Sequence, residues 1–481
     1  MKVAFGKTKI TPPEPEDAVG LTLAGYTPIV VSTGKLDDVW ATAVLMEDEY
    51  FGVKRRLLWI SLDLLKVALV WTDYVKEKLQ EAHGIPPGCV MIHATHTHKA
   101  PDLTGEFQDP GGYASVIRGI MCGKGKQDKY LVWITRRLVA MVGEMLRGLE
   151  PCEVAWTKRP IERDDVVVNR RHPSWRSKPD VWVFAFRSPA DGRLLGLVTQ
   201  FACHGTTLAN FTTKLSADWP GRFRARVEEV LGEDLGVVYF NGPSGDLNPV
   251  TTCGTDFEAL EDPKMRPLIY GQRGTYASTK RVGRAVADQA LAMLDSLRDV
   301  GRYYSKLEFK AYNKTFWVPM ADFKYWSHTW PSNKVVYLFK KYLLLPVALS
   351  HEEPNFPGLA VKHRGREMNC YSTFQWVRMK FSKGDGPGSE SRELSLLTAP
   401  GELFEAVGAR LRKACPSGYD HTLIVQNAQD WIAYLFPREE YVGQGGYEPL
   451  ASFSPVCGDY YEREVRELFD EVAAAANVSF W

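Results

Sequence analysis

Along the first half of the chain, short apolar or alternating runs give way repeatedly to stretches in which apolar residues recur every three or four positions. AVLMED (43–48) and LLWISLDLL (57–65) read as strands, residues 67–82 as a helix and 90–92 as a further strand. The opening MKVAFGKTKITPP is also strand-like. Residues 130–149 form a long amphipathic pattern, VWVFAF (181–186) and LLGLVTQFAC (194–203) are strands, and 221–231 is a helix. LGVVYFNG (235–242) is a strand running into a Gly- and Pro-rich loop, and 279–297 is another helix. This rhythm predicts an α/β fold, a mixed sheet with flanking helices, with one core extending to about residue 300.

Residues 301–390 change character. They are rich in Trp, Tyr, Phe and Lys, and SKGDGPGSESRE (382–393) reads as an exposed loop, so a lid or inserted subdomain within a single 1–481 domain is expected. Trp317, Tyr325, Trp326 and Trp330 in this stretch either line an apolar groove or fill a small core. LSLLTAP (394–400) is then a strand, 403–415 a helix, HTLIVQNAQDW (421–431) the start of another strand, and 460–476 the closing helix. No segment repeats another in sequence.

Composition narrows the class. With 45% apolar and 24% charged residues among 481, the chain is an ordinary globular one. Its 59 basic and 58 acidic side chains leave a formal charge of +1, so no global field draws it to nucleic acid or to an anionic membrane. The N-terminal residues carry no apolar signal region, which reads as cytoplasmic. The apolar stretches 57–75 and 335–349 are interrupted by Asp63 and Lys66 and by Lys340 and Lys341, so neither is a transmembrane span. The second reads as a buried helix, with contact at a membrane surface as the alternative. Eight cysteines without a CxxC pair read as reduced and buried, Cys203 included although it precedes His204.

The densest chemical signal is His93-Ala-Thr-His96-Thr-His98, placed where an apolar run meets its exit loop. In extended chain, residues two apart face the same way, so His96 and His98 reach one cavity, one binding metal and the other serving as acid, base or oxyanion donor. His204 follows the run VTQFAC, where a lone histidine is as readily a satisfied turn residue. Ser244, Asp246 and Asn248 in FNGPSGDLNP present polar groups that turn chemistry alone also explains. Glu402, between a strand end and a helix start, suits a carboxylate ligand or an acidic first-turn residue. Tyr434, Tyr441 and Tyr447 crowd a glycine-containing loop.

Taken together and in order, FGKTKITPP, LAGYTP, SLDLL, HATHTH, VVVNRR, FACHGTTLAN, LSADWPG, NGPSGDLNP, PGELFEAVGARLR and the Tyr-rich stretch after EEY resemble the neutral/alkaline, non-lysosomal ceramidase family. The resemblance covers most of the chain and is weakest over 301–390. It implies one large α/β zinc-hydrolase domain cleaving an N-acyl amide of a small or lipid-like acyl substrate. One zinc per chain would be held by His96, His204, Glu402 and Tyr434, with His98, Arg170 and Tyr447 around the scissile bond. Two imidazoles, a carboxylate and a phenolate leave room for a water whose pKa zinc lowers toward ~7, making it the attacking nucleophile.

The sequence also departs from the family. Asn248 stands where the family's GDxSPN carries serine, and Lys99 and Asp102 replace part of the glycine-rich tail of ATHTHSGPGG. The match is expected to be with the catalytic part alone, without the family's C-terminal β-sandwich-like domain. A zinc esterase or lactonase on the same scaffold, and a lipid- or sugar-binding protein with a structural metal, are the rival readings. The oligomeric state is left open.

Overall fold

Alternating burial explains how these strands assemble. Val44 and Met46 face one side of the strand Trp40–Tyr50, and Ala43 and Leu45 the other. A one-residue slip would exchange the two sets. The computed structural model describes residues 1–13, 18–26, 28–50, 52–103, 115, 128–251, 274–297, 300–319, 365–366, 369–384, 388–443, 448, 452 and 456–478.

Three sheets share one topology. In the first, Lys2–Lys9, Trp40–Tyr50 and Val53–Leu62 pair antiparallel; the helix Leu69–His83 then crosses over to Val90–Ala94, which pairs parallel with Val53–Leu62. The helix Asp128–Arg147 follows. The second repeats this order with Glu153–Pro160, Asp180–Arg187, Leu194–Phe201, the helix Asp218–Leu231, the parallel strand Gly236–Asn241 and the helix Tyr276–Asp295. The third does so with Lys306–Pro319, Asn369–Ser382, Ser391–Thr398, the helix Glu405–Ala414, the parallel strand Thr422–Val425 and the helix Cys457–Val478. The chain is thus a structural three-fold repeat of a β-β-β-α-β-α unit, with mixed sheets and flanking helices as the patterning predicts.

One face of every sheet packs into a common centre. Val44 and Trp59 of the first, Trp182, Phe184 and Phe240 of the second, and Val377, Met379 and Leu396 of the third belong to one buried cluster. The opposite faces are covered by each unit's two helices: Trp71 and Ile134 in the first, Trp219 and Val286 in the second, Val407 and Tyr461 in the third. Each such side chain contributes roughly 1.5–3 kcal/mol on burial. A fully buried ion pair, Arg224 to Asp63 at 2.6 Å, ties the second unit to the first.

Strands that are buried on both faces read as unbroken apolar runs, which is why Val90–Ala94 shows no alternation. Within 301–390, Lys306–Pro319 and Asn369–Ser382 are the first two strands of the third sheet. The lid reading therefore falls on residues 320–364, outside the described residues, as do Tyr325, Trp326, Trp330 and the stretch 335–349. Among the described residues no helix is long and apolar enough to cross a membrane.

Candidate metal centre and active site

The exit loops of the parallel strand pairs meet at one place. Thr97, just past the first sheet, bridges Gly205, just past the second, and His93 bridges Ala428, just past the third. Open α/β sheets bind ligands at such carboxyl ends. The approach is close: a Cβ on Gly205 would lie 2.5 Å from the carbonyl oxygen of His96. His96 itself sits at φ 65°, a left-handed conformation that costs a non-glycine residue on the order of 1 kcal/mol and that the surrounding loops enforce.

Four side chains from three units converge. The Nε2 of His96 lies 3.2 Å from that of His204 and 3.3 Å from that of His98. One carboxylate oxygen of Glu402 is 3.2 Å from His96 Nε2 and 3.1 Å from His204 Nε2. Each imidazole has its other nitrogen against a main-chain carbonyl: His96 Nδ1 to Leu65 at 2.7 Å, His98 Nδ1 to Gly25 at 3.0 Å, His204 Nδ1 to Ser244 at 2.6 Å. A carbonyl oxygen only accepts, so every Nδ1 carries a proton, and each Nε2 is the ring atom turned inward toward the others. Three imidazole nitrogens and a carboxylate this close need a shared proton or a cation between them. This donor set fits a zinc-type ion.

The electrostatics agree. Burial, reinforced by His96, pushes the His98 imidazole well below its ordinary range, and burial lowers His204 to about 4, so both rings are neutral near neutral pH. Burial alone would raise the Glu402 carboxyl, but the facing His96 and His204 rings override it and hold it well below the usual carboxylate range.

Glu402 is held on its other side. Its second oxygen accepts the Trp431 indole N–H at 3.2 Å, and the Lys66 ammonium stands 3.9 Å over the Trp431 ring. Glu402–Leu403 and Tyr434–Leu435 form a short parallel ribbon in which Glu402 opposes Tyr434. The Arg170 guanidinium lies over the Tyr434 ring at 5.7 Å and donates to Asn248 Oδ1 at 2.9 Å. Arg170 and Arg171 share Glu448, at 2.9 and 3.0 Å, while Glu440 takes Arg171 at 2.7 Å and His172 at 2.5 Å. His96, His98, His204 and Glu402 are thus in direct contact, with Tyr434, Arg170 and Asn248 adjoining. Tyr447 lies outside the described residues.

Other residues of the same motifs are structural. His93 receives the Asn241 N–H at Nε2, 3.0 Å away, and its Nδ1 meets Ser61 Oγ at 3.0 Å, so it joins the first two sheets rather than the metal set. Asp246 accepts the N–H of Glu405 at 2.8 Å, capping a helix. The Cys203 thiol is fully buried and pushed well up by that burial, which removes it as a nucleophile. Two contributors lie in stretches already quoted from the sequence, HTLIVQNAQDW and LAGYTP, without being singled out there. One is Trp431. The other is Gly25, at φ +104°, where a Cβ would fall 2.4 Å from the ring of His98.

No protein-family model matches the chain. Neutral ceramidase from Pseudomonas aeruginosa is 22% identical over 520 residues, covering 98% of this chain and 72% of that protein. The crystal structure of that neutral ceramidase superposes with a TM-score of 0.69 at 18% identity, over 98% of this chain and 74% of the other. A ceramidase complexed with C2 gives a TM-score of 0.66 at 18% identity, over 97% and 74%. The resemblance read from the motifs is matched by these sequence and structural neighbours, and the mixed α/β fold is common to both.

Proposed function

We propose that this chain, whose sequence and structural neighbours are neutral ceramidase, is a zinc-dependent hydrolase of an N-acyl amide bond in a lipid-like substrate. The observation that carries this reading is the convergence of three imidazole Nε2 atoms and a carboxylate, each locked from behind. His96, His204 and Glu402 would hold the ion, and the phenol of Tyr434, opposite Glu402 in the short ribbon, would complete the set. When bound, zinc supplies Lewis acidity, polarising an acyl oxygen and acidifying a water toward pKa ~7.

The chain's own residues do the rest. His98 is the most open of the three imidazoles, at 9% exposure against 1% for His96 and 2% for His204, and so is the one assigned to the substrate side. Its Nδ1–H is occupied by Gly25, so Nε2 takes the proton of the attacking water and returns it to the leaving nitrogen. Arg170, packed over Tyr434, keeps that wall of the site in place.

The test is elemental analysis of purified wild type beside His96→Ala and Glu402→Ala, with hydrolysis of paired short N-acyl amides and esters followed in parallel. About one zinc per chain in wild type, lost with amidase activity in both variants, supports the reading. Wild type that takes up no zinc when it is supplied overturns it, and hydrolysis of esters alone moves the assignment to an esterase.

A further inference from the structure

Arg170, which the family resemblance places beside the scissile bond, has committed most of its donors inside the protein. Nε and Nη2 both donate to Glu448, at 3.1 and 2.9 Å, Nη2 donates to the Gly245 carbonyl at 2.7 Å, and Nη1 donates to Asn248 Oδ1 at 2.9 Å. Little of the guanidinium fork is left for a substrate head group. Its effect passes instead to Asn248. An arginine only donates, so the side-chain atom facing it must be the oxygen of Asn248, and the planar amide then directs Nδ2 the other way. Among the described residues Nδ2 has no hydrogen-bond partner, and Asn248 keeps 8% of its surface accessible.

Asn248 also stands beside the metal ligands. The carbonyl of its neighbour Leu247 accepts the main-chain N–H of His204 at 3.0 Å. Asn248 opposes Val168 in the ribbon that delivers Arg170, and Arg170 lies over Tyr434, the strand partner of Glu402. An amide donor of fixed orientation, between the elements that carry His204 and Glu402, is placed for an acyl carbonyl. It differs in kind from a serine at this position, because an amide cannot be acylated.

We propose that Asn248 is a substrate-contacting residue whose Nδ2 donates to the acyl carbonyl oxygen, with Arg170 and Glu448 as positioning residues that fix the amide's orientation. This rests on the hydrolase reading above and adds to it. The substrate is then an acyl compound recognised at its carbonyl, attacked directly by water without an acyl-enzyme.

Asn248→Asp keeps the shape and the Arg170 contact but exchanges two N–H donors for a carboxylate oxygen. With a chromogenic N-octanoyl amide, kcat should fall about 10²- to 10³-fold while KM changes less and zinc content stays at the wild-type level, as when one oxyanion donor is lost. Asn248→Ser, which restores a donor, should recover at least about tenfold over Asn248→Ala. Arg170→Lys keeps the charge against Glu448 but loses the fork, so it should lower kcat in the wild-type background and have no further effect in Asn248→Ala. A general structural role would cost the same in both.

Binding of octanohydroxamic acid, measured by calorimetry on zinc-loaded protein, gives a readout without turnover. Asn248→Ala should weaken it by about three- to tenfold, the worth of one hydrogen bond. Wild-type kcat and hydroxamate affinity in zinc-loaded Asn248→Asp and Asn248→Ala would overturn the inference while leaving the hydrolase reading intact. Absence of zinc uptake or of amide hydrolysis in wild type would bring down the hydrolase reading first.

Discussion

His96 and His204 turn their Nε2 atoms toward each other across 3.2 Å, while the Nδ1 proton of each ring is fixed on the far side by the carbonyls of Leu65 and Ser244. A cation between them would take both nitrogens together with the Glu402 carboxylate beside them. Zinc should therefore raise the melting temperature of the chain stripped with chelator, by an amount worth about 2.7 kcal/mol when free metal is a hundredfold above its Kd. Scanning calorimetry with and without zinc checks this. The gain should vanish in His204→Ala.

Trp431 supplies an indole N–H to the second oxygen of Glu402 at 3.2 Å. Trp431→Phe retains a ring beneath Lys66 and removes only that donor. Zinc affinity should drop about 10- to 100-fold, the usual effect of losing a group that orients a ligand, with folding stability little changed. Competition against a fluorescent zinc chelator measures it, and unchanged affinity would show that Glu402 needs no such support.

His93 is held neutral, its pKa lowered to about 3 by burial. A folded pKa below the unfolded value of about 6.5 means that the unfolded chain binds the proton more readily. The stabilising contribution is complete above about pH 6.5 and is lost as pH falls toward about 3. Urea titrations at pH 7 and pH 5 should show the loss. His93→Ala should flatten this dependence, cost about 2 kcal/mol or more at pH 7 by orphaning the Asn241 N–H, and leave zinc content unchanged in the folded protein.

Gly25 presses its backbone against His98, accepting its Nδ1–H at 3.0 Å. A methyl group in Gly25→Ala would both collide with that ring and strain a residue at φ +104°. Displacement of His98 by about 1 Å should lower kcat about 10²-fold while His96, His204 and Glu402 still hold zinc. Kinetics beside metal analysis separates the two effects, and full activity would remove His98 from the substrate side.

Much of the architecture is legible because burial imposes a period. VWVFAF and LLGLVTQFAC became the strands Asp180–Arg187 and Leu194–Phe201, and the helix read over 67–82 is Leu69–His83. The helix read over 403–415 begins at Glu405, because Glu402–Leu403 pair with Tyr434–Leu435, a tertiary constraint with no local signature. The three-fold repeat was invisible for a related reason: the units share an order of elements and an alternation of burial, not residue identities. In the site, the HxH spacing pointed to His96 and His98 on the premise of an extended chain, but the strand ends at Ala94 and His96 is left-handed at φ 65°, so the two rings meet through a turn and not by strand alternation. His204 and Glu402 stood out only through resemblance, since each is a single residue after a strand. The contribution of Trp431 depends on a contact to a residue 29 positions away in sequence, which no spacing rule reveals.

The division of the ligands among the three units has a bearing on how the chain folds. Of the proposed ligands, His96 comes from the first, His204 from the second and Glu402 from the third, so no single unit would hold a complete coordination set. An ion bound there would act as a keystone: it would be gripped only after all three arches have closed, and its release would loosen them together. Metal occupancy in such a chain reports the completion of folding, and a lesion far out in any one sheet reaches the active site by unseating a ligand rather than by touching the chemistry.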